Sequence, residues 1–177
     1  MTENIKSQWI VDASHSEVQF KVKHLMIANV SGTFRTFTGR VHAESDDFNN
    51  SEISFEIDTD SIDTNQNERD GHLKSVMFLD TEKYPKIIFE GKLLKDGDDY
   101  ELTGDLTICA VKRNVRLEVE YTGTGKGRFG DTRAGFEVSG KINRKDFELN
   151  FNVLTETGSL VVGEEVKLHF DVELIKQ

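Results

Sequence analysis

Apolar residues recur at every second position in six separate segments of the chain. The segments are 16–23, 52–58, 100–108, 115–121, 134–142 and 166–174. A period of two places the apolar side chains on one face of a strand and the polar ones on the other. Because short turns join these segments, consecutive strands are expected to be antiparallel neighbours. The pattern predicts an all-β fold, an antiparallel β-barrel of about eight strands.

The segment 30–43 departs from this regularity. Its apolar residues share one parity as far as Phe34 and the opposite parity from Phe37 onward. A parity switch within a strand requires a bulge or a bend, which barrels use to curve. We therefore expect the barrel to bend near Arg35 and Thr36.

One or two short helices are expected to interrupt the strands. Asn65 is a candidate helix cap with Glu68 three residues later, and Leu73, Val76 and Met77 follow at helical spacing. This helix should end before Tyr84 and Pro85. Residues 144–163 are interpreted as an irregular or partly helical excursion.

The inward rows contain many of the 12 phenylalanines. A barrel of about eight strands can be filled by side chains or can hold one small ligand, and these alternatives stay open here. Flat rings can line a slot, and glycines at 32, 91, 104 and 140 could leave room or could relieve strain at barrel corners. The candidate apolar lining residues are Phe20, Val22, Phe34, Phe37, Phe55, Ile57, Leu73, Met77, Phe89, Leu106, Phe136, Val138 and Phe170.

Polar candidates for a ligand site are few. Arg69 and His72 could meet a ligand head group at the barrel mouth, or could belong to a helix start held by local ion pairs. Arg144 presents the same choice, and His24 has the parity of the inward-facing residues beside it. The five histidines lack the spacing of a metal site, and no cofactor or catalytic residue is predicted. Cys109 is more typical of a small buried apolar residue than of a nucleophile.

Length and charge limit the possible partners. The 177 residues fit a single domain spanning 1–177, and the net charge of −10 argues against nucleic acid and against anionic membranes. No apolar run of about 18 residues suggests membrane insertion. The first residues lack the pattern of a signal peptide, so the cytoplasm is the expected location.

Six motifs occur in order along the chain and together resemble the YceI-like family. They are W-x-V-D-x-x-H-S-x-V-x-F-x-V-x-H-L at 9–25, V-x-G-x-F at 30–34, T-x-x-x-x-R-D-x-H-L-K-S at 64–75, Y-P-x-I-x-F at 84–89, G-D-L-T-I at 104–108 and I-N-R-x-D-F at 142–147. The chain departs from the family pattern at Glu148 and Ala110, where the family usually or often has glycine.

The resemblance implies a lipocalin-like barrel that binds a long apolar lipid, such as a polyisoprenoid, an isoprenoid quinone or a fatty amide. It also implies a homodimer and no established catalysis. Two alternatives remain open at this point. One is an enzyme acting on a lipid head group through His24, Arg69 or Asp70, and the other is a stress-related structural dimer without a ligand.

Overall fold

Within the part of the chain that the structure describes, eleven strands form one continuous antiparallel sheet. The computed structural model describes residues 6–150 and 162–177. The strands are β1 (Ser7–Val11), β2 (Glu17–His24), β3 (Ala28–Phe34), β4 (Phe37–Ala43), β5 (Ser51–Asp58), β6 (Ile62–Asp63), β7 (Lys86–Asp96), β8 (Asp99–Ile108), β9 (Val111–Lys126), β10 (Thr132–Asn143) and β11 (Val162–Lys176).

Eight of these strands close into a barrel. Their order is β1-β4-β5-β7-β8-β9-β10-β11, and pairing of β1 with β11 completes the ring. The remaining strands, β2, β3 and β6, extend the sheet from β11 at one end of the barrel. The predicted antiparallel barrel of about eight strands is confirmed.

Broken strands let the barrel change direction. β1 and β2 pair in succession with β11 and are separated by a single 3-10 turn, Ala13–His15. β3 pairs with β2 while β4 pairs with β1, and the two are separated at Arg35 and Thr36. The bend that the parity switch predicts is therefore confirmed.

Among the described residues there is one short α-helix, α1 (Asn67–Lys74), which lies between β6 and β7 in the sequence. Its N-cap is Gln66, whose side chain accepts a hydrogen bond from the Arg69 backbone N–H at 2.9 Å. The predicted Asn65 cap is wrong, because Asn65 lies one residue earlier with φ of 66°. The predicted helical face is also too long, since the helix ends before Val76 and Met77 and both are exposed.

The predicted excursion at 144–163 contains a 3-10 turn, Arg144–Phe147, and Glu148 ends it in a left-handed conformation with φ of 59°. Residues 151–161 of that excursion lie outside the described residues.

An aromatic cluster plugs one end of the barrel. Phe48, in the loop between β4 and β5, is only 2% exposed. Its ring centroid lies 5.0 Å from that of Trp9, 5.1 Å from that of Phe136 and 5.8 Å from that of Tyr121. Such tilted and edge-on contacts are favourable for aromatic rings. This end of the barrel is therefore filled by packed aromatic rings.

The glycines on the inward rows do not hollow the barrel. A Cβ atom at Gly32 would lie 2.3 Å from Phe20 Cζ, and one at Gly140 would lie 2.4 Å from Leu117 Cδ2. Gly91 and Gly104 face each other across β7 and β8, and a Cβ at Gly91 would lie 2.3 Å from the Thr103 carbonyl oxygen. The space that these glycines free is filled by neighbouring rings, branched side chains and backbone.

Candidate functional site

The other end of the barrel holds a large cavity of about 430 Å³. Strands β2, β3, β10 and β11 line one side of it, and α1 with the chain that follows lines another. Its lining residues are Val18, Gln19, Phe20, Val22, Lys23, His24, Val30, Phe34, Ile57, Ile62, Thr64, Arg69, His72, Leu73, Phe78, Leu79, Ile87, Leu106, Ile108, Ile142, Arg144, Leu149, Val162, Val166, Leu168 and Phe170. Because His24 and His72 are exposed, this cavity opens to solvent there.

A small cavity of about 100 Å³ lies deeper, towards the aromatic plug. Its lining includes Phe48 of the plug, together with Phe55, Phe89, Phe136 and Val138. The two cavities share a ring of lining residues: Ile57, Ile87, Leu106, Leu168 and Phe170. The barrel interior therefore runs from an open mouth, through this shared ring, to a closed end.

The structure brings most of the predicted lining residues together. Those in the large cavity are Phe20, Val22, His24, Phe34, Ile57, Arg69, His72, Leu73, Leu106, Arg144 and Phe170, and those in the small cavity alone are Phe55, Phe89, Phe136 and Val138.

Two predicted residues lie elsewhere. Phe37 is buried in the barrel wall, where its ring stacks on Phe55 at a centroid distance of 5.7 Å. Met77 is 59% exposed because the helix that was expected to carry it inward ends at Lys74.

Several lining residues were not among the predicted ones. Val18, Val30, Ile142, Val166 and Leu168 all lie in the alternating rows, so the period-two signal contained them. Phe78 and Leu79 lie outside regular strands, so no sequence periodicity indicates that they face the cavity. Leu149 also lies outside the strands, although Phe147 and Leu149 begin a short alternation in the sequence.

Thr64 holds the polar start of α1. Arg69 Nε donates a 2.7 Å hydrogen bond to the Thr64 hydroxyl, and Arg69 Nη2 donates one of 2.7 Å to the Thr64 carbonyl. The buried Asp70 carboxylate accepts from the Thr64 N–H at 2.9 Å and from its hydroxyl at 2.5 Å. The network is local, as expected for a helix start that is held by its own polar residues. The hydrogen bonds run through a threonine, however, and not through the ion pairs that were expected.

Arg144 is a buried structural cation. The residue is only 1% exposed, and its guanidinium donates to the carbonyls of Gly163 at 2.8 Å, Leu149 at 2.5 Å and Val162 at 3.1 Å. Burial lowers the pKa of this guanidinium, and the nearby Glu164 opposes that shift. Arg144 therefore joins the 3-10 turn region to the start of β11 while its side chain borders the large cavity.

The charged side chains that line the large cavity are basic. Lys23, Arg69 and Arg144 line it together with two histidines, and none of its described lining residues is an aspartate or a glutamate. This is unusual in a chain with a net charge of −10. The charged side chains among the described lining residues therefore favour a neutral or anionic head group over a cationic one.

A cluster that the sequence did not reveal lies at the break between β1 and β2. Asp12, His15 and Glu173 place three possible metal ligands within 4.8 Å of one another. Arg133 already supplies a positive charge there, since its Nη1 lies 2.7 Å from Asp12 and 3.3 Å from Glu173. Hydrogen bonds from Ser14, Arg133 and His15 hold the pKa of Asp12 far below its usual value. The cluster is therefore an ion-pair network at a strand break.

The thiol of Cys109 is poorly suited to nucleophilic chemistry. Burial, with a smaller effect from Asp80, raises its pKa above the usual value. Its Sγ lies 3.2 Å from the Leu79 carbonyl, to which the S–H donates. A protonated thiol is the unreactive form, which agrees with a packing role.

Comparisons with known proteins agree with this architecture. Residues 9–174 match the model of the YceI-like domain. The chain is 40% identical over 167 residues to Protein YceI of Escherichia coli O17:K52:H18. This alignment covers 94% of the present chain and 84% of the Escherichia coli protein.

Two solved structures share the fold at lower sequence identity. BcnA of Burkholderia cenocepacia superposes with a TM-score of 0.79 at 22% identity, covering 92% of this chain and 98% of BcnA. A polyisoprenoid binding domain from Saccharophagus degradans, implicated in plant cell wall breakdown, gives 0.69 at 18% identity, covering 96% and 98%. Within residues 6–150 and 162–177, no helix is long and apolar enough to cross a membrane. On the strength of the domain match and the sequence identity, the chain belongs to the YceI-like family.

Proposed function

We propose that the protein binds, stores or carries a long apolar lipid inside the barrel, without catalysing a reaction. The large cavity supports this proposal most directly. Its volume of about 430 Å³ lies in the range of about 300–1,000 Å³ that is typical of ligand sites. Most of its lining is aliphatic or aromatic, with polar groups concentrated near the mouth.

Burial of apolar area provides the binding energy. Each Å² of apolar lipid surface removed from water contributes about 25 cal/mol, before the cost of ordering the lipid. The rings of Phe20 and Phe34 lie 5.5 Å apart on one wall, and Phe170 stacks near Phe55 at 6.3 Å further in. An elongated slot with flat walls suits an unbranched or isoprenoid chain better than a bulky polycyclic ligand.

The proposed ligand class is a polyisoprenoid, an isoprenoid quinone or a fatty amide. The structural similarity to a polyisoprenoid binding domain is consistent with the first of these. In this proposal the lipid tail lies along the large cavity, and the head group stays near Lys23, His24 and His72 at the mouth. The homodimer and the cytoplasmic location remain predictions.

Local bonding supports a non-catalytic role. Asp70, a candidate catalyst in the enzyme alternative, accepts two hydrogen bonds from Thr64. Arg69, another candidate, donates to the same residue. Hydrogen bonding to Thr64 therefore gives both side chains a structural role, which accounts for their position at the start of α1.

A lipid extraction experiment tests the proposal. We expect organic extracts of protein purified from its own host to contain a long-chain lipid at a fixed molar ratio, identified by mass spectrometry. Val30→Phe should reduce that ratio severalfold, because the new ring enters the large cavity, which Val30 lines. Ser31→Phe is the matched control, since Ser31 is exposed on the same strand. Repeated recovery of no lipid from the unmodified protein, or equal lipid in both variants, would contradict the proposal.

A further inference from the structure

Exposed apolar side chains concentrate in two loops of the described chain. Met26 and Ile27, between β2 and β3, are 55% and 84% exposed. Val76 and Met77, after α1, are 79% and 59% exposed. Such exposure costs free energy in water, so contiguous apolar groups of this kind commonly mark an interaction surface.

Both loops border the mouth of the large cavity. Met26 and Ile27 lie between His24 and Val30, and both of those flanking residues line the cavity. The second loop is placed in the same way, because Leu73 before it and Phe78 after it also line the cavity. We name Met26, Ile27, Val76 and Met77 the rim residues. The rim thus continues the apolar cavity lining onto the outer surface.

The charge at this end is suited to an anionic surface. Lys23 and His24 directly precede the first rim loop, and both are exposed. His72 and Lys74 precede the second loop, where Lys74 lies 3.8 Å from Asp60. An apolar tip flanked by basic side chains is the pattern that allows shallow insertion between anionic lipid head groups.

We propose that the rim residues dock the open end of the barrel on an anionic lipid bilayer. The inference rests on the proposed lipid-binding function, because a docked rim lets an apolar tail pass between bilayer and cavity with little exposure to water. Docking is peripheral and reversible, since only four side chains and the adjacent cations take part. Because the chain has a net charge of −10, an anionic bilayer repels the rest of the protein surface, and this repulsion favours the one orientation in which the rim faces the bilayer.

Vesicle flotation tests the docking surface. The probes are vesicles of phosphatidylcholine containing phosphatidylglycerol, and vesicles of phosphatidylcholine alone. We expect the unmodified protein to bind the anionic vesicles more strongly. Met26→Ser combined with Ile27→Ser should lower the partition coefficient about tenfold or more, because two apolar side chains no longer leave water.

Phe129→Ser is the matched control. Phe129 is 90% exposed, yet it lies in the β9–β10 turn, away from the strand ends that border the mouth. It should leave vesicle binding unchanged. Absence of binding by the unmodified protein, or an equal loss in the control, would overturn the proposal. So would rim variants that bind vesicles normally but convert a dimer to a monomer, because the rim would then contact a second copy.

Lipid extraction from the same preparations separates this proposal from the proposed function. Rim variants that have been loaded with lipid should retain it, because none of the four rim residues lines the cavity. Protein that binds vesicles through the rim but never contains lipid would refute the proposed function and leave the docking surface in place. Protein that contains lipid but ignores vesicles would refute docking alone.

Discussion

Ala110 adopts a backbone conformation that favours glycine. It forms the two-residue turn between β8 and β9 with Cys109, and their φ angles are 64° and 51°. Positive φ at both central residues is the geometry of a type I′ hairpin, where a Cβ atom is unfavourable. The glycine that YceI-like sequences often have at this position therefore has a direct structural reason.

We expect Ala110→Gly to raise the free energy of unfolding by about 0.5–1 kcal/mol, because it relieves this conformation. Urea denaturation at neutral pH would measure the change. Gly97→Ala is the matched control, since Gly97 has φ of 64° in the β7–β8 turn and should lose a similar amount. A less stable Ala110→Gly variant would show that the turn geometry is wrong.

Asp12 should make stability depend on acid pH. Its carboxylate accepts hydrogen bonds from the Ser14 hydroxyl and from Arg133, both at 2.7 Å, and these interactions depress its pKa in the folded state. The stabilisation is therefore fully present above about pH 4, the usual pKa of an unfolded aspartate, and is lost as pH falls through the folded value.

Asp12→Asn should lower the free energy of unfolding by about 1–2 kcal/mol at pH 7, because a charge-assisted acceptor is lost. The gap between variant and unmodified protein should shrink in strongly acidic solution. Urea unfolding across a pH series provides the measurement, and Asp98→Asn in an exposed turn is the control. A gap that is constant with pH would exclude the carboxylate charge as the cause.

At the scale of single residues, the sequence predicts which way a strand side chain faces better than it predicts which distant residue that side chain contacts. Phe20 and Val22 face inward as their alternation indicates, since the facing of a strand residue is a local property. Arg133 pairs with Asp12 across 121 residues, and nothing in the local pattern links them. Phe48 lies in a loop outside every alternating row, so its role in the plug was not predictable either.

Among the structural elements, the turn at Arg144–Phe147 depends on a single guanidinium. Arg144 is only 1% exposed and donates hydrogen bonds to three backbone carbonyl oxygens. Removing the guanidinium takes this donor from all three oxygens, and each buried group left unsatisfied costs about 1–3 kcal/mol.

Arg144→Met should therefore lower the free energy of unfolding of lipid-free protein by about 3 kcal/mol. Lys145→Met is the control: Lys145 forms a partly exposed ion pair with Glu164 at 2.8 Å and should lose less than about 1 kcal/mol. Calorimetry or urea titration of delipidated protein would compare the two. Equal stabilities, with reduced lipid binding for Arg144→Met alone, would instead assign Arg144 to the ligand.

The bounds of strands and helices could be predicted from the sequence where the spacing of apolar residues was regular. The break between β3 and β4 was predictable because Phe34 and Phe37 have opposite parity. The extent of α1 was not, because the spacing of Val76 and Met77 fits a helix that the chain leaves at Lys74. In that case local periodicity could not distinguish a helical face from an exposed loop.

Across the whole molecule, the interior divides into two parts. One end holds packed aromatic rings beside a cavity of about 100 Å³, and the other holds a cavity of about 430 Å³. Sequence left a filled barrel and a hollow one as open alternatives, and the structure contains both in series. The aromatic content of the rows could not decide between them, because Phe136 contacts the plug while Phe20 lines the large cavity. Which rings meet one another depends on the register of distant strands.

The plug at Phe48 gives the barrel interior a direction. A guest that enters past the exposed His24 and His72 meets the packed rings of the plug at the opposite end, so it extends inward in one direction. The depth between the mouth and the plug is constant, so any part of a ligand that exceeds this depth must remain outside the barrel. A barrel with one closed end therefore selects its ligand by the length of apolar tail that fits inside, and it tolerates different head groups at the mouth.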